Sequence, residues 1–466
     1  MPMTIPCPRM ETPNRRRTVA PAEAIAYRIA VWVLLVLLGV ATVPSHAESR
    51  PSRRTPQPNV VLILGDGLRN SDLTPRSLIG LTNLSNFLQE GFRFTEAYTG
   101  SPAAPAARAS ILTGIPPEQA RIRSAIQEPL RSEEVTLGEM ARSVGYSCAF
   151  LGAWGLGREG TSGMPIQQGF PDFLGTLDLR HGTNSRSPFL WRNDVPFKLP
   201  PLAGTSPDNL PSAWLLRAAT NFIHGHEETA FLLVYAPSLP GGTNQSPAVR
   251  SARLARLDAQ IGTLTQDLRK RLLAEDTLVI LAGVPAVESG RPLRRSEPMP
   301  PNTPQSRGLD DATLRTPLVF WRPGILRPGQ TNLPVGLWEI APTVTALLDG
   351  QRPSRVTGRS LQPWLMPSTS EAPTNQVTLQ WEQVDAPRAQ AGRIGRWKGF
   401  QPAPGAAVQV FDLEQDPAEM KDVSAQHPEV IREFTELFNR SDRPWSAPTP
   451  RPSDETTAAG DQLPTR

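Results

Sequence analysis

Pro58-Asn59-Val60-Val61-Leu62-Ile63-Leu64-Gly65-Asp66-Gly67 is the stretch on which the fold turns. Val60 to Leu64 is a continuous apolar run with no polar face, so it reads as a strand buried on both sides. Gly65, Asp66 and Gly67 close the run and set one carboxylate at its C-terminal end. Outward from this point the chain alternates strand with helix. A helix over 82–90 is capped by Thr82 or Asn83 and stopped by Gly91. A helix over 135–144 leads to a strand at 147–151, and one over 214–223 to a strand at 231–235. The longest helix spans 248–273, because Leu254, Leu257, Ile261, Leu264, Leu268 and Leu272 recur at steps of three and four. Strands at 278–281 and 317–321 and a helix at 338–348 complete the series. The alternation predicts an α/β domain: a large mixed, mostly parallel sheet flanked by helices.

The pattern changes after Pro363. Short strands at 377–381, 393–397 and 408–411, then a helix over 428–438, predict a small C-terminal antiparallel sheet with a helix. At the other end, Arg28 precedes an apolar run from Ile29 to Val43 that closes on Pro44-Ser45-His46-Ala47. That run is shorter than the ~20 residues a membrane span needs, and its ending suits signal-peptidase cleavage after Ala47. The expected organisation is a signal peptide at 1–47, a linker at 48–58, the α/β domain at 59–363, the small subdomain at 364–440 and a disordered tail at 441–466. A Pro-rich stretch over 285–307 reads as loop. The product is expected in a periplasm or outside the cell, with a membrane as partner only if the leader stays uncleaved.

Of 466 residues, 51 are Pro and 35 Gly, without the repeats of collagen, and the single-file heptads of a coiled coil are missing. The leader carries five Arg and two Glu, so its removal takes the formal charge from +4 to +1. A nearly neutral chain has no electrostatic reason to bind nucleic acid. Cys7 leaves with the leader and Cys148 stands alone, so no internal disulfide forms.

Several segments together resemble one family, the sulfatases of the alkaline-phosphatase superfamily. The opening stretch 58–66 looks like their first strand and metal loop. Arg108-Ala109-Ser110-Ile111-Leu112-Thr113-Gly114 resembles the helix that follows their nucleophile, and Gly152-Ala153-Trp154-Gly155-Leu156-Gly157 their Gly-Lys-Trp-His-Leu-Gly box. Gln168-Gly169-Phe170-Pro171-Asp172-Phe173, Ile340-Ala341-Pro342-Thr343 and Val410-Phe411-Asp412-Leu413 are similar to later segments in the same order. The resemblance implies an alkaline-phosphatase-like fold. For an active member it implies a formylglycine nucleophile made from Cys or Ser, a Ca²⁺ held by carboxylate and amide oxygens, and cationic groups on the sulfuryl oxygens.

The matching positions lack most of that chemistry. The Cys/Ser-x-Pro-Ser/Thr-Arg motif falls on Ala104-Pro105-Ala106-Ala107-Arg108, so Ala104 stands at the nucleophile position with no heteroatom to activate. Ser101 and Ser110 are the nearest hydroxyls. Asp66 takes the first place of the paired metal-loop Asp and Gly67 the second, while the later Asp-Asn pair falls on Val284 and Pro285. One carboxylate is far short of the roughly six oxygens Ca²⁺ needs, so Asp66 is at most a partial metal ligand, and a turn residue otherwise. The box Lys and His fall on Ala153 and Gly155, and a further His on Ser238; Arg307 stands near the position of a family Lys. Arg108 is a candidate substrate-binding residue for an anion. Its structural alternative is a pin between the nucleophile loop and Asp66 or a backbone carbonyl.

Other polar clusters read as structural. His224-Gly225-His226-Glu227-Glu228 sits at the helix-end side of a strand, Asp310-Asp311 reads as an exposed loop charge pair, and Asp258 as a bond within the large domain. The leading expectation is an exported, catalytically inactive sulfatase-like pseudoenzyme that binds a sulfated glycan or another anionic ligand, or pairs with an active sulfatase subunit, and needs no cofactor. The alternative is an active sulfuric-ester or phosphoric-ester hydrolase with a rebuilt site and Ca²⁺. A scaffold whose cleft binds nothing is a third, blander reading.

Overall fold

The computed structural model of the chain describes residues 57–124, 128–179, 187–200, 210–237, 246–285, 303–304, 308–366, 377–384 and 388–441. The expected signal peptide, almost all of the linker, nearly all of the tail, Ser238 and Arg307 lie outside the described residues.

Among the described residues, eleven strands form one sheet: β1 (Asn59–Asp66), β2 (Phe92–Tyr98), β3 (Ser147–Ala153), β4 (Asp172–Thr176), β5 (Phe189–Arg192), β6 (Val195–Lys198), β7 (Phe231–Ala236), β8 (Thr277–Val284), β9 (Arg315–Trp321), β10 (Gly329–Thr331) and β11 (Val335–Gly336). Their order is β10-β2-β9-β8-β1-β7-β3-β4-β5-β6, with β11 beside β2. The predicted mixed, mostly parallel sheet is what forms. β1 lies at its centre, parallel to both β7 and β8, and β9 runs antiparallel between β2 and β8. Every residue of β1 is buried, as the absence of a polar face requires.

The helices are α1 (Thr82–Glu90), α2 (Ala104–Thr113), α3 (Leu137–Arg142), α4 (Pro211–Gly225), α5 (Pro247–Lys270), α6 (Asp311–Leu314), α7 (Ile340–Leu347), α8 (Gln362–Leu365) and α9 (Pro428–Ser441). Alternate side chains of a strand face opposite ways, so the sheet has two apolar layers. Val60, Leu62 and Leu64 pack with α2, α3 and α7 on one face, and Val61 and Ile63 with α1, α4 and α5 on the other. Asp258 of α5 caps α1: it accepts from Leu84 N at 2.7 Å and from Asn83 Nδ2 at 2.8 Å.

The small sheet has four antiparallel strands, β12 (Thr378–Gln383), β13 (Ala389–Ile394), β14 (Trp397–Gln401) and β15 (Gln409–Asp412), with α9 against them. The strand expected at 393–397 is corrected to a hairpin turn. Gly395 takes φ +59° there, a left-handed conformation that suits Gly, and reverses the chain between Ile394 and Trp397. Strand β5 and the edge strand β6 were not expected either, because neither carries a long apolar run. Both sheets belong to the single compact unit that starts at Gln57.

Asp310 and Asp311 are corrected from exposed to buried, at 3% and 5% exposure. The small sheet covers them. Tyr98 Oη donates to Asp311 Oδ1 at 2.6 Å, Asp311 N donates to Glu419 Oε1 at 2.7 Å, and Lys398 Nζ donates to Leu309 O at 2.8 Å.

Candidate functional site

In a parallel sheet the strand C-termini share one end, and that end is where α/β folds place their sites. Here it gathers Asp66 (β1), Ala153 (β3), Ala236 (β7) and Val284 (β8), with the N-terminus of α2 above them. The positions that the resemblance singles out, Asp66, Ala104, Ala153 and Val284, thus lie at one end of the sheet. What stands at those places is mostly apolar.

Ala104 is the first residue of α2 and is buried. It packs with Ala153 and Leu179 in a small apolar cluster, the three at 4%, 1% and 0% exposure. Leu179 comes from the chain just beyond β4. Main-chain pairing continues past the strand ends, with Trp154 N donating to Thr176 O at 2.9 Å and Gly155 N to Leu177 O at 3.0 Å. The chain then folds Leu179 over Gly155. The two nearby hydroxyls are committed to the backbone: Ser101 Oγ accepts from Ala103 N at 3.1 Å, and Ser110 Oγ donates to Ala107 O at 2.9 Å.

Arg108 and Asp66 are brought together. Arg108 is 1% exposed; its Nη2 donates to Asp66 Oδ1 and its Nη1 to Ala153 O at 2.6 Å. Its Nε is buried without an acceptor among the described residues, which subtracts from what the pair contributes. Arg253 of α5 donates to the Asp66 carbonyl oxygen. Burial pushes the Asp66 carboxyl above its ordinary value, while the Arg108 and Arg253 guanidinium groups pull it back down.

The sulfatases' divalent cation can be tested against these donors. Asp66 already bonds a guanidinium, Gly67 N donates to Val284 O at 2.6 Å, and Val284 is buried and apolar. Among the described residues no three His, Cys, Asp or Glu come together as a metal set. These residues do not fit Ca²⁺.

His224 and His226 lie away from this end. His224 Nδ1 bonds Glu227 Oε1 at 2.9 Å, and His226 stacks on Phe222 with ring centroids 4.2 Å apart. A separate cavity of about 540 Å³ opens beside the loop after Gly157, lined by Glu139, Glu159, Asp194, Ser132, Thr161 and Gln167 among others. Among the described residues, three carboxylates and no basic group line it, which disfavours an anion there. Sequence reasoning missed Leu179 and Arg253: the first lies outside every motif, and the second is one Arg among several on a long helix.

Comparisons with known proteins point to one family. The sulfatase family model matches residues 58–350. Human arylsulfatase A is 27% identical, over 82% of this chain and 87% of its own. The N-acetylgalactosamine-6-O-sulfatase of Bacteroides thetaiotaomicron is 23% identical, over 82% of this chain and 92% of its own. The structure of BT4656 in complex with its substrate D-glucosamine-2-N,6-O-disulfate superposes with a TM-score of 0.65 at 15% identity, covering 84% of this chain and 100% of that one.

Proposed function

The chain belongs to the sulfatase family, and we propose that it does not cleave sulfate esters by a covalent route but serves as an exported binding or partner protein. The observation that carries this reading is the apolar contact of Ala104, Ala153 and Leu179 at the start of α2. A methyl group there cannot form a covalent intermediate, and the donors around Asp66 do not supply a metal-activated water in its place.

The ligand class under this reading is a sulfated glycan or another anion, with an active sulfatase subunit as the other partner. Relatives named as sulfatases and a neighbouring fold holding a disulfated glucosamine support that class. Of the two roles open to Arg108, the structural pin is the one its bonds support, since both Nη atoms donate within the chain and the residue is 1% exposed. Export rests on the leader sequence.

The test is turnover of an aryl sulfate with excess Ca²⁺, run beside a binding titration against sulfated oligosaccharides. No turnover with saturable binding supports the proposal. Turnover that survives purification and disappears in a folded Asp66→Asn variant replaces it with an ester hydrolase whose site is rebuilt around Asp66 and Arg108.

A further inference from the structure

We propose that the guanidinium of Arg108 has taken over the structural job of the family's cation, so that the end of β1 is held by an internal ion pair and the fold is independent of divalent metal. The inference stands apart from the binding role above, since it holds whether or not a glycan binds.

Three elements meet at this group. Arg108 belongs to α2, Asp66 ends β1, and the Ala153 carbonyl ends β3, and the guanidinium bonds the latter two from the first. A buried carboxylate needs a positive partner, and a planar guanidinium with two Nη groups can serve a carboxylate and a carbonyl at once. A divalent ion placed against Asp66 would face that fixed positive charge and would find Gly67, Val284 and Pro285 where further oxygens are required. The positive charge beside Asp66 is therefore supplied from within the chain, by Arg108.

The space beyond the pair is closed as well. Leu179 is fully buried against Ala104 and Ala153, and its side chain occupies the volume directly over Gly155. The pair itself is largely shielded from water, with side-chain exposures of 1% for Arg108 and 10% for Asp66. A metal-dependent pocket has become a stretch of core.

The experiment is thermal unfolding of the full chain in Ca²⁺ and in EGTA, with the metal content measured after dialysis. The expected result is the same Tm in both and no retained Ca²⁺. A Tm that rises with Ca²⁺, or one ion held per chain, overturns the inference. Arg108→Met adds a second reading: its Tm should fall by roughly 5–15 °C, because the Asp66 carboxylate is left buried without its partner. The double variant Asp66→Asn with Arg108→Met should recover part of that fall. Losses that simply add also overturn it. Should Arg108→Met fail to fold, the comparison of Ca²⁺ with EGTA on the unaltered chain still decides.

Discussion

Leu179 lies so close over Gly155 that a Cβ on the glycine would stand 2.4 Å from Leu179 Cγ. Real Cβ atoms do not approach so near, so residue 155 has no room for any side chain while Leu179 is in place. Gly155 is also left-handed, at φ +79°. The position that matches the family's box histidine is thus closed twice, by backbone conformation and by a neighbouring side chain. Its scaffold neighbours keep their roles: Trp154 donates its Nε1 to Gly163 O at 2.7 Å and packs edge-on against Phe150 at 4.9 Å.

Restoring the nucleophile alone should therefore not restore catalysis. Ala104→Ser and Ala104→Cys are expected to show no aryl-sulfate hydrolysis above the unaltered chain, with or without Ca²⁺. Catalytic groups that act as a unit are not recovered one at a time. Steady-state assays of the two variants check this, and measurable turnover in either sinks it.

How far this was visible in the sequence differs by level. The centre of the sheet was legible because β1, β7 and β8 are fully buried strands, and burial on both faces writes an unbroken apolar run. The turn at Gly395 was not, since one Gly between two polar-looking segments does not mark which side of it the strand ends. Asp310 and Asp311 were misread because their burial comes from Tyr98, Lys398 and Glu419, all distant in sequence. At the site, position-by-position matching showed what Ala104, Ala153 and Gly155 lack. It could not show what fills the space, because Leu179 reaches it through a loop that no motif covers.

Glu339 gives the stability a pH dependence. It sits at 4% exposure, bonded by Arg359 Nε to Oε1 at 3.0 Å and by Nη2 to Oε2 at 3.2 Å. Burial nonetheless pushes its carboxyl from an ordinary 4.5 to about 7, against the pull of Arg359. A raised folded value means the folded state holds the proton more tightly, so this contribution is complete below about pH 4.5 and lost as pH rises through about 7. The loss is at most about 3 kcal/mol across that window. Urea unfolding of Glu339→Gln should show a flatter slope between those limits. An unchanged slope would assign the pH dependence elsewhere.

Gly155→Ala should destabilise the fold by about 1–3 kcal/mol through overpacking against Leu179, with about 1–2 kcal/mol more for a side chain in the left-handed region. Denaturant titration reads the sum. A substitution that proves neutral would mean that Leu179 swings away freely and the seal is loose.

Leu179→Ala separates those two contributions. By itself it should cost about 2–5 kcal/mol, because a fully buried side chain leaves a cavity between Ala104 and Ala153. In that background Gly155→Ala no longer meets the Leu179 side-chain carbons, so its overpacking cost should disappear while the backbone strain at φ +79° stays. The double variant is then more stable than the two single losses added together, by about 0.5–3 kcal/mol, the range expected for residues in direct contact. Strict additivity in the cycle would show that Gly155 and Leu179 do not touch as described, and the closure of the site would then rest on the apolar residues at 104 and 153 alone.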